Sequence, residues 1–208
     1  WYIKFIKYNI PIQIGSKHIM YEILKKNLDK NRYLINTAKK KNPNIYFRNV
    51  SLKSIKEKNF DLVLSMFNVV NYFKDLKNLI FFFREIKNKT SKNFLFIFDA
   101  WNGSFNFKSK VVKEKRIIKN KDFILTNYIK SIKTPLSNKV SLNYKIIIDF
   151  IKKSKKINIK HQLIQFLWTP NEIKKALTLA GFKSIIIKKS FSNKSFTNKD
   201  LKLIFLAR

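Results

Sequence analysis

Hydrophobic residues in the first half of the chain alternate between helical and strand-like spacing. Helical spacing runs over 17–26 and follows Asn31 and Asp75, two residues suited to cap a helix. Two runs, FDLVLSMFNVV and NFLFIFDAW, are nearly all apolar, as is typical of strands buried on both faces of a parallel sheet. Such alternation predicts an α/β fold with right-handed crossovers. The predicted strands lie at 12–14, 45–50, 60–70 and 93–101.

The pattern changes over 103–160, where apolar and polar residues alternate. The segments at 124–132 and 140–148 follow the two-residue period of a strand with one exposed face. They predict that 103–160 is an antiparallel β-rich insertion. It belongs to a single domain that spans 1–208.

The C-terminal part returns to the α/β pattern. TPNE at 169–172 is a capping box with Pro at the first helical position, and Gly181 suits a left-handed helix end. Two final strands are predicted at 182–187 and 201–206.

Composition excludes several classes of protein. With 45% hydrophobic residues the chain is too apolar to be disordered, and no apolar run approaches the roughly 18 residues of a membrane span. Without Cys there is no disulfide framework or thiolate site, and with two His, at 18 and 161, no metal site is expected. No signal-peptide pattern follows Trp1, so we expect a cytoplasmic protein whose N-terminus is incomplete.

Lysine dominates the charge, since 45 Lys and Arg against 12 Asp and Glu give +33. The 40 Lys, 23 Asn and 30 Ile share A/T-rich codons, so genome composition is the simpler explanation of this charge. Arg, which suits bidentate phosphate recognition, occurs five times. The charge therefore permits contact with nucleic acid without establishing it.

Polar and aromatic residues follow the predicted strands, where ligands of open α/β sheets bind. Gly15 precedes a helix N-terminus, which suits an anion, and Asp29 can accept hydrogen bonds from both ribose hydroxyls of an adenosine cofactor. SMFN at 65–68 and DAWN at 99–102 end the two buried strands. These residues predict a ligand crevice, although both carboxylates are also candidate helix caps.

Four segments resemble a known family. DKNRYLINTA at 29–38, FDLVLSMFNVVNYF at 60–73, FLFIFDAWN at 94–102 and TPNEIKKALTLAGF at 169–182 are similar to class I S-adenosylmethionine-dependent methyltransferases. The similarity is closest to the small-molecule branch that includes amino-sugar N,N-dimethyltransferases. It implies a Rossmann-like methyltransferase fold, with a mostly parallel seven-stranded sheet and a reversed last strand.

The resemblance implies S-adenosylmethionine as the cofactor and assigns residues to it. Asp29 matches the acidic residue that holds the ribose, and Ser51 stands where the family usually has an Asp that binds the adenine amino group. Gly15 is what remains of the family's GxGxG loop, and its fourteen-residue interval to Asp29 is shorter than the roughly twenty of a dinucleotide-binding unit. We therefore predict weak cofactor binding. The residues matching the methionine and methyl-donor side are Met66, Phe67 and Asn68.

The resemblance also places residues on the substrate side. Asp99, Trp101 and Asn102 match the strand end that faces the substrate, and Tyr72 is assigned to the same side. KHQLIQF resembles a segment that places His161 near the mouth of the active site, so His161 and Asp99 are the candidate catalytic bases. The alternatives are packing of Tyr72 against the following helix and a half-buried strand position for His161.

Methyl transfer needs little from side chains, because the sulfonium is already activated. We interpret the chain as a methyltransferase acting on an amine or hydroxyl of a small molecule, such as a nucleotide-linked amino sugar. The alternatives are a nucleic-acid-modifying methyltransferase, which only the charge supports, and a degenerate fold without turnover. The insertion at 103–160 is expected to cover the substrate or to form a homodimer surface, and no membrane partner is expected.

Overall fold

The computed structural model describes residues 2–7, 10–15, 40, 46–48, 52–108, 113–134, 136–151, 155–190 and 192–208. The chain divides into two units. Unit 1 comprises residues 1–106 and 168–208, and unit 2, residues 107–167, overlaps the predicted insertion. The helices predicted over 17–26 and after Asn31 lie outside the described residues.

Unit 1 contains a seven-stranded sheet. Its strands are β1 (Tyr2–Lys7), β2 (Ile10–Gly15), β3 (Tyr46–Arg48), β4 (Phe60–Met66), β5 (Thr90–Trp101), β10 (Ile185–Lys189) and β11 (Lys202–Ala207). Their order across the sheet is β10-β11-β5-β4-β1-β2-β3. The last strand, β11, runs antiparallel to both of its neighbours, β5 and β10, which confirms the predicted reversal.

The sheet is mixed, so the prediction of a mostly parallel sheet is not confirmed. Two of its six described pairings, β2–β3 and β4–β5, are parallel. The prediction from the sequence does not include β1, which pairs antiparallel with both β2 and β4. Only two residues separate β1 from β2, and so short a connection can join only antiparallel strands, since parallel ones need a long crossover.

Three helices are described in the chain: α1 (Leu76–Lys87), α2 (Gly103–Lys108) and α3 (Pro170–Leu179). The Asp75 side chain accepts the Asn78 N–H at 2.8 Å and begins α1 as predicted. Thr169 and Glu172 form the predicted capping box of α3, and Gly181 follows that helix with a φ of 92°. None of the described helices is long and apolar enough to cross a membrane.

Phenylalanine side chains fill the core of unit 1. The Phe83 ring of α1 lies 6.0 and 5.4 Å from the Phe96 and Phe98 rings of β5 and 6.4 Å from the Phe182 ring. Phe98 stacks on Phe205 of β11 at 4.8 Å between ring centroids. Because buried aromatic rings contribute large apolar areas, this cluster fixes α1 and β11 against β5.

Unit 2 is a four-stranded antiparallel sheet in which neighbours in sequence are neighbours in space. Its strands are β6 (Lys113–Lys119), β7 (Phe123–Lys133), β8 (Lys139–Phe150) and β9 (Lys155–Phe166). β7 and β8 confirm the two strands predicted at 124–132 and 140–148. Because side chains alternate between faces along each strand, the register decides which residues share a face.

Candidate active site at the ends of two central strands

The turn that follows β4 has an unusual backbone conformation. Phe67 and Asn68 have φ angles of 72° and 59°, in the left-handed region that residues other than glycine rarely adopt. Each such residue costs about 1–3 kcal/mol and persists where surrounding contacts hold it. The Phe67 side chain is 59% exposed, so the strained turn presents an aromatic ring to solvent at a strand end.

Asp99, near the end of the neighbouring strand β5, holds this turn in place. Its Oδ1 accepts the backbone N–H of Asn68 at 2.7 Å, and its Oδ2 forms an ion pair with Nζ of Lys202 on β11. Asp99 is 2% exposed, and a buried carboxylate needs such partners. Since the chain itself engages both oxygens, the geometry makes Asp99 a positioning residue, and its role as a base stays a prediction.

A second buried side chain joins the two strand ends. Asn71 is fully buried in the 3-10 turn Val69–Tyr72, and its Oδ1 accepts the backbone N–H of Trp101 at 2.9 Å. Trp101 is half-buried, and Nζ of Lys202 lies 6.0 Å from the centre of its ring. The structure thus brings together the ends of β4 and β5, as the sequence predicts.

Asn102 supports the loop after β5 through its backbone N–H and both polar atoms of its side chain. Its backbone N–H donates to the Leu201 carbonyl at 3.0 Å, its Nδ2 to the Asp200 carbonyl at 2.9 Å, and its Oδ1 accepts the Ser104 N–H at 3.1 Å. It is 1% exposed. The contact with substrate predicted for Asn102 stays a prediction, because these bonds explain the residue structurally.

Gly103 permits a close approach at the same place. Its N–H donates to the carbonyl of Trp168 at 2.9 Å. A Cβ on Gly103 would lie 2.6 Å from the carbonyl carbon and oxygen of Trp168, a distance that real side chains do not tolerate. Because Gly103 has no side chain, the end of β5 can pack directly against the segment that begins α3.

Two buried polar atoms near the end of β4 have no hydrogen-bond partner within the described chain. They are Asn68 Oδ1 and Ser65 Oγ. Because a buried acceptor without a partner costs roughly 1–3 kcal/mol, such an atom is where a ligand donor gains most. Beside the exposed Phe67 ring, Asn68 Oδ1 offers one acceptor next to an apolar surface. These groups fit a ligand that carries both an amine and an apolar face.

His161, the other predicted base, lies in unit 2. Its ring packs against Tyr144, the residue directly opposite on β8, with centroids 6.1 Å apart, and its Nε2 is buried without a partner among the described residues. Burial raises the pKa of Tyr144 above its ordinary value. Tyr144 and His161 are among the residues that line a cavity of about 660 Å³, to which residues of the neighbouring rows such as Lys145 also contribute. His161 is thus the half-buried strand histidine of the alternative interpretation, and its catalytic role stays a prediction.

The remaining predicted residues are distributed as follows. Met66 ends β4 and is half-buried, and Tyr72 is half-buried in the turn that contains Asn71. Gly15 ends β2, which lies between β1 and β3 and not beside β4. The strand predicted at 12–14 is therefore the second strand of the chain and not the first. Asp29 and Ser51 lie outside the described residues, and their assignments to the cofactor stay predictions.

Sequence reasoning missed Asn71 and Lys202. Asn71 follows a run of buried apolar residues, and a polar residue in such a run signals a structural hydrogen bond. Lys202 begins a short terminal strand and carries no local signal, because its partner Asp99 is distant in sequence.

Comparison with known proteins identifies the fold. No family model and no curated protein matches the chain. Among solved structures, a S-adenosylmethionine-dependent methyltransferase from Clostridium acetobutylicum is similar with a TM-score of 0.69 and 12% identity, over 86% of this chain and 71% of that one.

Two further solved structures are similar at low identity. The amino pentose methyltransferase CalS10 from Micromonospora echinaspora has a TM-score of 0.67 and 10% identity over 85% of this chain and 70% of its own. The sugar N-methyltransferase KedS8 from Streptoalloteichus has a TM-score of 0.69 and 11% identity over 84% and 66%. At such identities the similarity concerns the fold, and the chain has the α/β fold of S-adenosylmethionine-dependent methyltransferases.

Proposed function

We propose that the protein transfers a methyl group from S-adenosylmethionine to an amine or hydroxyl of a small molecule. The observation that carries this proposal is the strained Phe67–Asn68 turn, held by Asp99 at the carboxyl end of β4. Ligands of open α/β sheets bind at such strand ends, and this chain has a methyltransferase fold. Strained backbone that surrounding contacts hold in place is often found at functional sites.

The residues at the turn fit this cofactor. S-adenosylmethionine supplies an electrophilic methyl group on a sulfonium. Asn68 Oδ1 is an acceptor without a partner in the described chain, suited to the cofactor's amine, and the exposed Phe67 ring offers an apolar surface beside it. Gly15, Asp29 and Ser51 remain the proposed contacts for the rest of the cofactor, on the resemblance alone.

Side chains in this reaction chiefly hold the reactants in line and exclude water. Asp99 and Lys202 hold the turn that carries Phe67 and Asn68. Trp101, whose backbone Asn71 fixes, is the proposed apolar wall on the substrate side. The role of His161 as the base that accepts a proton from the acceptor remains a proposal, on the resemblance alone.

The acceptor class is a finer proposal. Similar structures include an amino pentose methyltransferase and a sugar N-methyltransferase. We propose an amine or hydroxyl on a sugar-like molecule as the first acceptors to test. Unit 2 is proposed either to cover that acceptor or to form a homodimer surface, and sedimentation of the purified protein distinguishes a dimer from a monomer.

Calorimetric titration with S-adenosylhomocysteine tests the proposal. Phe67→Ala removes the exposed ring at the turn, whereas Phe81→Ala removes an exposed ring from α1, where Phe81 is 42% exposed. We expect weak binding by the unaltered chain, a further loss of about tenfold in Phe67→Ala and no change in Phe81→Ala. Equal affinities in all three proteins would remove the turn from the binding site. Undetectable binding by the unaltered chain at millimolar ligand would instead support a degenerate fold without turnover.

A further inference from the structure

The alternation of unit 2 divides its sheet into two faces of different character. One face carries mostly apolar side chains, including Leu125, Ile129, Leu142 and Ile146, which the register places together. The other face, here named the basic face, carries exposed lysines from all four strands. Its lysines are Lys113, Lys115, Lys119, Lys130, Lys139, Lys145, Lys156 and Lys160.

Several of these lysines face each other directly across neighbouring strands. Lys145 lies opposite Lys160, and Lys113 lies opposite Lys130. Directly opposed residues have Cβ atoms about 4.5–5.5 Å apart, where like charges destabilise a sheet. Asp149 is the one acidic side chain on the described part of this face, and it pairs at 3.5 Å with Lys156 at the edge of the array. Among the described residues the central lysines therefore have no acidic partner, and their positive charge attracts a polyanion.

An aromatic ring lies in the middle of this charge. Tyr128 is 39% exposed, opposite both Lys115 and Lys145, and Nζ of Lys115 lies 5.6 Å from its ring centroid. Beside it, Gln162 Nε2 donates to Asn143 Oδ1 at 2.9 Å. Ammonium groups that follow a phosphate chain, around a ring on which a base can stack, are the elements of single-strand binding surfaces.

We propose that the basic face binds single-stranded nucleic acid without sequence preference. Lysines supply point charges for the phosphates, and the Tyr128 ring supplies a stacking surface that only an unpaired base can reach. In a duplex the bases are stacked on each other, so the ring would contribute nothing. A second copy of the chain does not suit this face, because eight lysines would then oppose eight lysines.

Fluorescence anisotropy with a labelled twelve-nucleotide oligouridylate provides the test. Each phosphate contact contributes about −0.7 to the slope of log affinity against log salt for a single strand. Contacts from four or five lysines predict a slope of about −3. The matched duplex should bind more weakly than the single strand at the same salt. Tighter binding to the duplex, or equal binding to vesicles of phosphatidylcholine and phosphatidylserine, would contradict the proposed partner.

Two triple variants locate the surface. The first variant changes Lys115, Lys145 and Lys160 together to Gln. Because it removes three phosphate contacts, the slope of log affinity against log salt should become smaller in magnitude by about 2. The control changes the exposed Lys174, Lys175 and Lys183 of unit 1 to Gln, removing the same charge elsewhere.

Tyr128→Ala should weaken binding at least fivefold, the lower end for one stacked base. Circular dichroism should show all variants folded. Equal losses in the two triple variants, or no oligonucleotide binding by the unaltered protein, would overturn the proposal. Cofactor titrations of the same variants should be unchanged, so this result is separable from the proposed methyltransferase activity.

Discussion

The two units use polar side chains in opposite ways. At the strand ends of unit 1, Asp99, Asn71 and Asn102 are at most 2% exposed, and each is hydrogen-bonded to backbone groups. On the basic face of unit 2, Lys145 and Lys160 face water and each other. Buried, fully bonded groups fix geometry, whereas exposed charges contribute little to stability and act through their summed field. The proposed roles follow this difference, since the strand ends of unit 1 are proposed to position a ligand and the basic face to attract one.

The largest expected effect comes from Lys202→Met, which leaves the buried Asp99 carboxylate without its cation. Breaking a buried ion pair costs about 3–5 kcal/mol, and the partial exposure of Lys202 lowers our expectation to about 2–4 kcal/mol. Lys145→Met, on the basic face, should change stability by less than about 0.5 kcal/mol. Urea denaturation measures both. Similar values for the two variants would contradict the contrast between the units.

A double variant separates the charge from the rest of the site. Asp99→Asn together with Lys202→Met keeps an acceptor for the Asn68 N–H but removes both charges. Because no uncompensated charge is then buried, we expect at least half of the stability lost in Lys202→Met to return. If the double variant loses as much stability as the two single variants lose together, packing and not charge pairing holds the turn.

Gly103→Ala tests the close contact after β5. The added Cβ would lie 2.6 Å from the carbonyl carbon of Trp168, and such overpacking costs about 1–3 kcal/mol. Ser104→Ala is the control, since the described bond of Ser104 at this place uses its backbone N–H. Thermal unfolding should show a clear decrease for Gly103→Ala alone. An unchanged melting temperature would mean that the loop has room to move.

Thr169→Ala removes the N-cap of α3. Its Oγ1 accepts the Glu172 N–H at 3.3 Å, and losing such a cap costs about 1 kcal/mol. Thr178→Ala, at an exposed position on the same helix, should have a smaller effect. Urea denaturation of both variants measures the two effects. Equal shifts of the midpoint would mean that the Thr169 cap does not stabilise α3.

The smallest effect concerns pH in unit 2. Burial raises the pKa of the Tyr144 phenol, so the folded state favours the neutral form. The free energy of unfolding that this shift contributes is present below the unfolded pKa of about 10. It is lost as pH rises through the pKa of Tyr144 in the folded state. Stability should therefore fall above about pH 10, and Tyr144→Phe should reduce that fall. Urea midpoints on either side of this pH measure it, with the exposed Tyr128→Phe as the control that leaves it unchanged.

Local signals in the sequence predicted much of the fold. The Asp75 cap and the capping box at Thr169 depend on neighbouring residues, so the sequence displays them directly. The two-residue period likewise predicted β7 and β8. The mixed sheet was missed because β1 was not predicted and its pairing with β4 joins residues that are distant in the sequence.

The site was predicted at the level of strand ends but not of contacts. SMFN and DAWN identified the ends of β4 and β5, because polar residues after apolar runs are visible in any sequence. The role of Asp99 as an anchor depends on Lys202 and on the backbone of Asn68. Those partners lie far apart along the chain, and only the fold brings them together.

Hydrogen exchange measured with and without S-adenosylhomocysteine tests the central claim most directly. If the cofactor binds at the strained turn, exchange should slow at the amides of Phe67 and Asn68 and over 99–102, and should not change along β7 and β8 of unit 2. Slowing confined to unit 2, or no change at the turn under saturating ligand, would contradict the account.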